Sequence, residues 1–114
     1  MAQTEYYSYQ DNQALGKVGV SLQVFDVITK LTLMDIKEVT VDFPHGIFNY
    51  GKGPIVCRII DSTLQIDVEL KVNYGQNVTA ISKLVQKKIS DAVMRMTDVT
   101  VDYINVNVTG IEFN

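Results

Sequence analysis

The chain has 114 residues, 46% of them hydrophobic and 20% charged, with a formal net charge of −3. One domain with a real core is expected at this size, and the acidic balance excludes binding to nucleic acid or anionic lipid by overall charge. The single cysteine, Cys57, excludes an internal disulfide; with a polar N-terminus and no apolar run of membrane-spanning length, it predicts a soluble cytoplasmic protein.

Residues 1–15 are rich in Gln, Tyr, Asp and Asn and read as a flexible tail, with Tyr6, Tyr7 and Tyr9 available to dock on the single domain formed by residues 16–114. Ser21 is a good N-cap for a helix over about Leu22–Met34. Val24, Val27, Ile28 and Leu31 recur there at i, i+3, i+4 and i+7, a stripe expected to face the core. The helix is rich in β-branched residues, so packing rather than propensity must hold it. Glu38–Phe43 alternates, with Val39, Val41 and Phe43 on one face of a strand, and Pro44-His45-Gly46 ends it. Residues 47–54 read as a loop. Ile55–Ile60 is short, apolar and β-branched, hence a strand. Asp61-Ser62-Thr63 is so tight a connection that this strand and the next must be antiparallel.

That next run, Leu64–Val72, alternates apolar and polar residues without a break, the pattern of a strand with one buried and one wet face. After a turn at residues 73–77, with Asn77 as N-cap, a long helix is predicted over about Val78–Thr97. At about 100° per residue, Val78, Ile81, Val85, Ile89, Ala92, Val93 and Met96 share one broad arc. Lys87, Lys88 and Arg95 lie in the C-terminal half, where the helix dipole favours cations. Leu84 and Met94 fall off the arc and are the candidate interaction surface, for a protein partner or a second copy of the chain. The last run, Val99–Ile111, changes phase: Val99, Val101 and Tyr103 are odd, Ile104, Val106 and Val108 even. A bulge near Asp102–Ile104 would reconcile them, leaving Asn105, Asn107 and Thr109 facing water. The expected fold is α+β: a single mixed sheet covered by two helices, in the order α-β-β-β-α-β, with a parallel, right-handed strand–helix–strand crossover in the C-terminal half.

Little in the chain points to chemistry. His45, the lone histidine, sits in a turn with no second ligand near it in sequence and reads as a surface residue. Cys57 lies in an apolar strand and reads as a small buried hydrophobe. Asp67 and Glu69 are neighbours on the wet face of one strand, which with Gln65 and Lys71 reads as a solvated face. Asp42 and Asp61 are further carboxylates in reach of such a pairing. Gly16-Lys17-Val18-Gly19 matches the G-x-x-G loop of KH modules, which gives a nucleic-acid-binding domain as the alternative function, although one helix rather than two flanks it. Gly51-Lys52-Gly53-Pro54 lacks the spacing and the following helix of a phosphate loop. The Asn-Val-Thr sequons at Asn77 and Asn107 read as a helix start and a strand. No catalytic residue, cofactor or metal is expected.

Several blocks carry a resemblance. Val68-Glu69-Leu70-Lys71-Val72-Asn73-Tyr74-Gly75, Val85-Gln86-Lys87-Lys88-Ile89, Val93-Met94-Arg95-Met96-Thr97 and Val101–Ile111 together resemble the alkaline-shock protein family, the envelope stress response or general stress proteins of Gram-positive bacteria. The likeness covers about residues 16–113 and is concentrated in the second half. Asp98 stands where the family usually has Gly after Met-Thr, and Asp35-Ile36-Lys37-Glu38-Val39 stands where a Gly-Val entry is usual. The resemblance implies a small non-enzymatic accessory or scaffold protein at the envelope. Its expected partner is a protein, a membrane-anchored one in some relatives, with homo-oligomers also expected, no nucleic acid and no direct membrane insertion. Localisation is then cytoplasmic, with membrane association through the partner.

Overall fold

The computed structural model describes residues 21–43 and 53–113. Its elements run α1 (Leu22–Met34), β1 (Val39–Thr40), β2 (Ile55–Ile60), β3 (Thr63–Asn73), α2 (Val78–Thr97) and β4 (Tyr103–Glu112). They form the expected α+β fold with one mixed sheet. β3 is its centre: β1 and β2 pair antiparallel with it, and β4 pairs parallel. The tail, the Gly16–Gly19 loop, His45 and Gly51-Lys52 lie outside the described residues.

The alternation of β3 does what its period demands. Leu64, Ile66, Val68, Leu70 and Val72 are each at most 2% exposed, while the residues between them face the other side. The turn into β3 is two residues long, Asp61 and Ser62, both at positive φ (50° and 64°). Primed hairpin turns require this geometry because it matches the twist of the strands. α2 begins as expected, with Asn77 Oδ1 accepting from the Ala80 amide at 2.9 Å. It ends at Asp98, which takes the left-handed conformation (φ 61°) while its N–H donates to the Met94 carbonyl. Aspartate thus fills the place where the family usually has glycine, one of the few other residues that tolerates it.

Helix α1 corrects the expectation drawn from its apolar spacing. Phe25, Ile28, Thr29 and Leu33 are buried, whereas Val24, Val27 and Leu31 are exposed; of the expected stripe only Ile28 points inward. The buried face contains two threonines and so looked polar. The Thr29 and Thr32 hydroxyls donate to the Phe25 and Ile28 carbonyls at 2.8 Å, so facing the core leaves neither unsatisfied. On α2 the arc holds in its middle (Ile81, Val85, Ile89, Ala92, Val93), but Val78 and Met96 at its ends are exposed. The helices pack side by side, α1 over β2 and α2 over β4, and join one core with the inner row of β3.

Two strands differ from their expected extents. β1 is only two residues, although Val39, Val41 and Phe43 do turn toward the core. The phase change after α2 needs no bulge at residues 102–104, because Val99 and Val101 are buried outside any strand. Asp102 ends that segment: its amide donates to the Leu64 carbonyl and its carboxylate accepts from the Leu64 amide, both at 2.9 Å. The register irregularity lies instead at Leu70/Lys71, where Thr109 is the extra residue of β4. Asn105, Asn107 and Thr109 are exposed, as expected.

The orientation of α1 is testable by urea denaturation. Phe25→Ala is expected to cost about 3–5 kcal/mol, and Leu31→Ala less than about 1 kcal/mol. The reverse order would mean that the helix presents its other face to the sheet.

Candidate interaction surface

A helix that is apolar on two faces has one face too many for a single core. The outward residues of α1 are Val24, Val27, Leu31 and Met34, the last two 52% and 63% exposed. Their spacing of three, four and three is that of an a/d seam, which packs against another helix. Lys30 flanks the seam, its Nζ 5.2 Å from the centre of the Phe43 ring. Of the two positions marked on α2, Leu84 is largely taken up by the core, and Met94 is 40% exposed. Tyr74 and Phe113 form an exposed aromatic pair, centroids 5.1 Å apart, at one end of the sheet. The α1 seam is legible as a repeat in the sequence, but its spacing alone assigns it to the core.

The groups with chemical potential are tied to structure. On the open face of the sheet Asp67 pairs with Arg58 and accepts from Asn105 Nδ2 at 2.7 Å. Glu69 shares that face and is exposed. Lys71 Nζ lies between Asp42 and Glu112, at 3.9 and 3.8 Å. An open cleft of about 380 Å³ passes over Lys71 and Glu69, bounded by Thr40, Asp42 and Pro54. Among the described residues no three His, Cys, Asp or Glu side chains are grouped to hold a metal.

Cys57 is half-buried on β2. Burial, and then the nearby charges of Asp26 and Asp67, push its thiol up to about 12, so it stays protonated and unreactive at neutral pH. Asp26 lies at the margin of the inner face of α1. Burial raises its carboxyl above the ordinary value, and the Lys30 charge one turn away opposes this without offsetting it.

The chain belongs to the alkaline-shock protein family, described as having a cell envelope-related function; the family's model matches residues 10–113. Among curated proteins it is similar to the uncharacterized protein YqhY of Bacillus subtilis, 28% identical over 109 residues covering 88% of this chain and 80% of that one. It is also similar to the uncharacterized protein Spy1535 of Streptococcus pyogenes serotype M6, 26% identical over 108 residues covering 85% of this chain and 80% of that one. No solved structure matches it. No described helix is long and apolar enough to cross a membrane.

The Asp26 shift has a definite sign. The folded protein holds this proton more tightly than the unfolded chain, so its contribution to stability is complete below the ordinary value of 3.8. That contribution is lost as pH rises through the raised value. Asp26→Asn is therefore expected to be more stable than the wild type at pH 7, with the difference vanishing in acid below the ordinary carboxylate range. Urea midpoints measured across pH check this; a less stable Asn variant at pH 7 would contradict it.

Proposed function

We propose that the protein is a non-enzymatic accessory or scaffold protein of the cell envelope stress response, acting through protein–protein contacts. Its partner would present an amphipathic helix to the outward face of α1. The observation that carries this reading is the a/d seam of Val24, Val27, Leu31 and Met34, left on the surface of a helix whose other face already fills the core. Burying a Val, Leu or Met side chain is worth about 1.5–3 kcal/mol, so a matching helix gains affinity from this stripe without any change of fold. The envelope-related description of the family sets the place of action. A chain with no membrane-crossing helix among its described residues would act there from the cytoplasmic side, held by a membrane-anchored partner. Met94, exposed on the neighbouring helix, is a second contact position; Leu84 has little surface left to offer.

The test is a comparison of proteins retained from the solubilised native envelope by the wild type and by Leu31→Glu. Leu31 is exposed, so the variant is expected to fold normally, with a circular dichroism spectrum like that of the wild type. A specific partner retained by the wild type, absent with Leu31→Glu, and binding the purified wild type directly is the expected result. An identical set from both, or nothing from the wild type, would contradict the reading.

A further inference from the structure

A different part of the molecule, the outer edge of β4, carries a second surface. Among the described residues β4 pairs only with β3, so its far edge has no strand beside it. The register shows which backbone groups are left there. The Glu69 amide donates to the Pro54 carbonyl beyond the start of β2, so the odd residues of β3 turn toward β2. Its even residues, Ile66, Val68 and Leu70, therefore turn toward β4, where they stand opposite Ile104, Val106 and Val108. In a parallel ladder the residue opposite an inward-bonding one points its own N–H and C=O away. Ile104, Val106 and Val108 thus present their amides and carbonyls to the open edge. The Ile104 carbonyl agrees with this geometry, since it accepts from Gln86 Nε2 of α2 at 2.9 Å instead of from a strand.

Proteins guard such edges with lysines, prolines, bulges or short strands. Residues 103–108 carry no charge and no proline, and their register is regular up to the bulge at Thr109. The order of side-chain types along the edge is palindromic: Ile104, Asn105, Val106, Asn107, Val108. An antiparallel two-fold requires that property of a strand that meets its own copy. We propose that the partner at this edge is a second copy of the chain, with β4 paired antiparallel to β4 about Val106 and the two sheets joined into one.

In this arrangement Val106 meets Val106 of the second copy and exchanges both backbone hydrogen bonds with it. Ile104 meets Val108, and Val108 meets Ile104, in the same way. Asn105 stands opposite Asn107 on the open face, where the amides can bond across the seam. Asp102 falls opposite Gly110, and Glu112 lies beyond the paired region, so no like charges are opposed. Gln86 gives up the Ile104 carbonyl to the Val108 amide of the second copy. Hydrogen bonds along an edge hold register strongly but add modest affinity, which suits an assembly that forms as local concentration rises.

The experiment is amide hydrogen exchange by NMR on the full chain, from micromolar to millimolar concentration, with sedimentation velocity on the same samples. The Ile104, Val106 and Val108 amides should exchange at least roughly tenfold more slowly at the top of the range, as a dimer appears; those of Asn105 and Asn107 are already bonded to β3 and should change little. Val106→Pro removes an outward N–H, a position where an edge strand tolerates proline. Val106→Lys places two cations face to face. Both variants should stay monomeric while folding, and Leu31→Glu should still dimerise, which separates this edge from the α1 seam. Three outcomes would overturn the proposal. One is a wild type that remains monomeric at millimolar concentration with these amides unprotected, including the case where the edge takes only a strand of another protein. Another is a dimer that survives both Val106 variants. The third is a dimer that is lost with Leu31→Glu.

Discussion

Helix α1 can turn only one of its two apolar faces to the sheet, and the rest of the molecule follows from which face it turns. Inward lie Phe25, Ile28 and Leu33, which enter the core with the unbroken inner row of β3. The other orientation would bury Val24, Val27, Leu31 and Met34, but at about 100° per residue it would also carry Gln23 and Lys30 toward the core. Desolvating a lysine without a partner costs far more than desolvating two threonines that bond their own helix backbone. The chosen face is not free of cost, since it draws Asp26 to the margin of the core and raises its proton affinity.

The parts legible from sequence are those where one residue pattern had one physical solution. Leu64 to Val72 alternates so strictly that only a half-buried strand fits, and the two residues before Thr63 allow only a hairpin. Asn77 could be assigned as a cap from its place before an amphipathic run. The rest failed where a local pattern admitted two solutions. Two apolar stripes on α1 could not be ranked without knowing that Thr29 and Thr32 satisfy themselves. Val99 and Val101 looked like strand because they alternate, yet burial against a core needs no ladder. The bulge at Thr109 follows from β3 and β4 being held in parallel register at both ends, by Asp102 at one and by the Tyr74 amide on the Glu112 carbonyl at the other, a constraint that no local window contains.

The molecule concentrates its unspent interaction capacity in places that suit binding protein. Its charged groups on the open face of the sheet are mostly paired, as with Asp67 held by Arg58 and Asn105, and Lys71 between Asp42 and Glu112. Its thiol is held protonated. What remains is a helical seam and an uncharged strand edge, two recognition modes that differ in the kind of partner they take. Membership of an envelope-related family agrees with such a distribution of surfaces.

Single cysteines placed in turn at positions 24–34, in a Cys57→Ser background, would report the facing of α1 directly through their rates of thiol labelling in the native protein. Fast labelling at 24, 27, 31 and 34 and slow labelling at 25, 28, 29 and 33 is the predicted result. The opposite phase, or one rate along the whole helix, would contradict the account at its root.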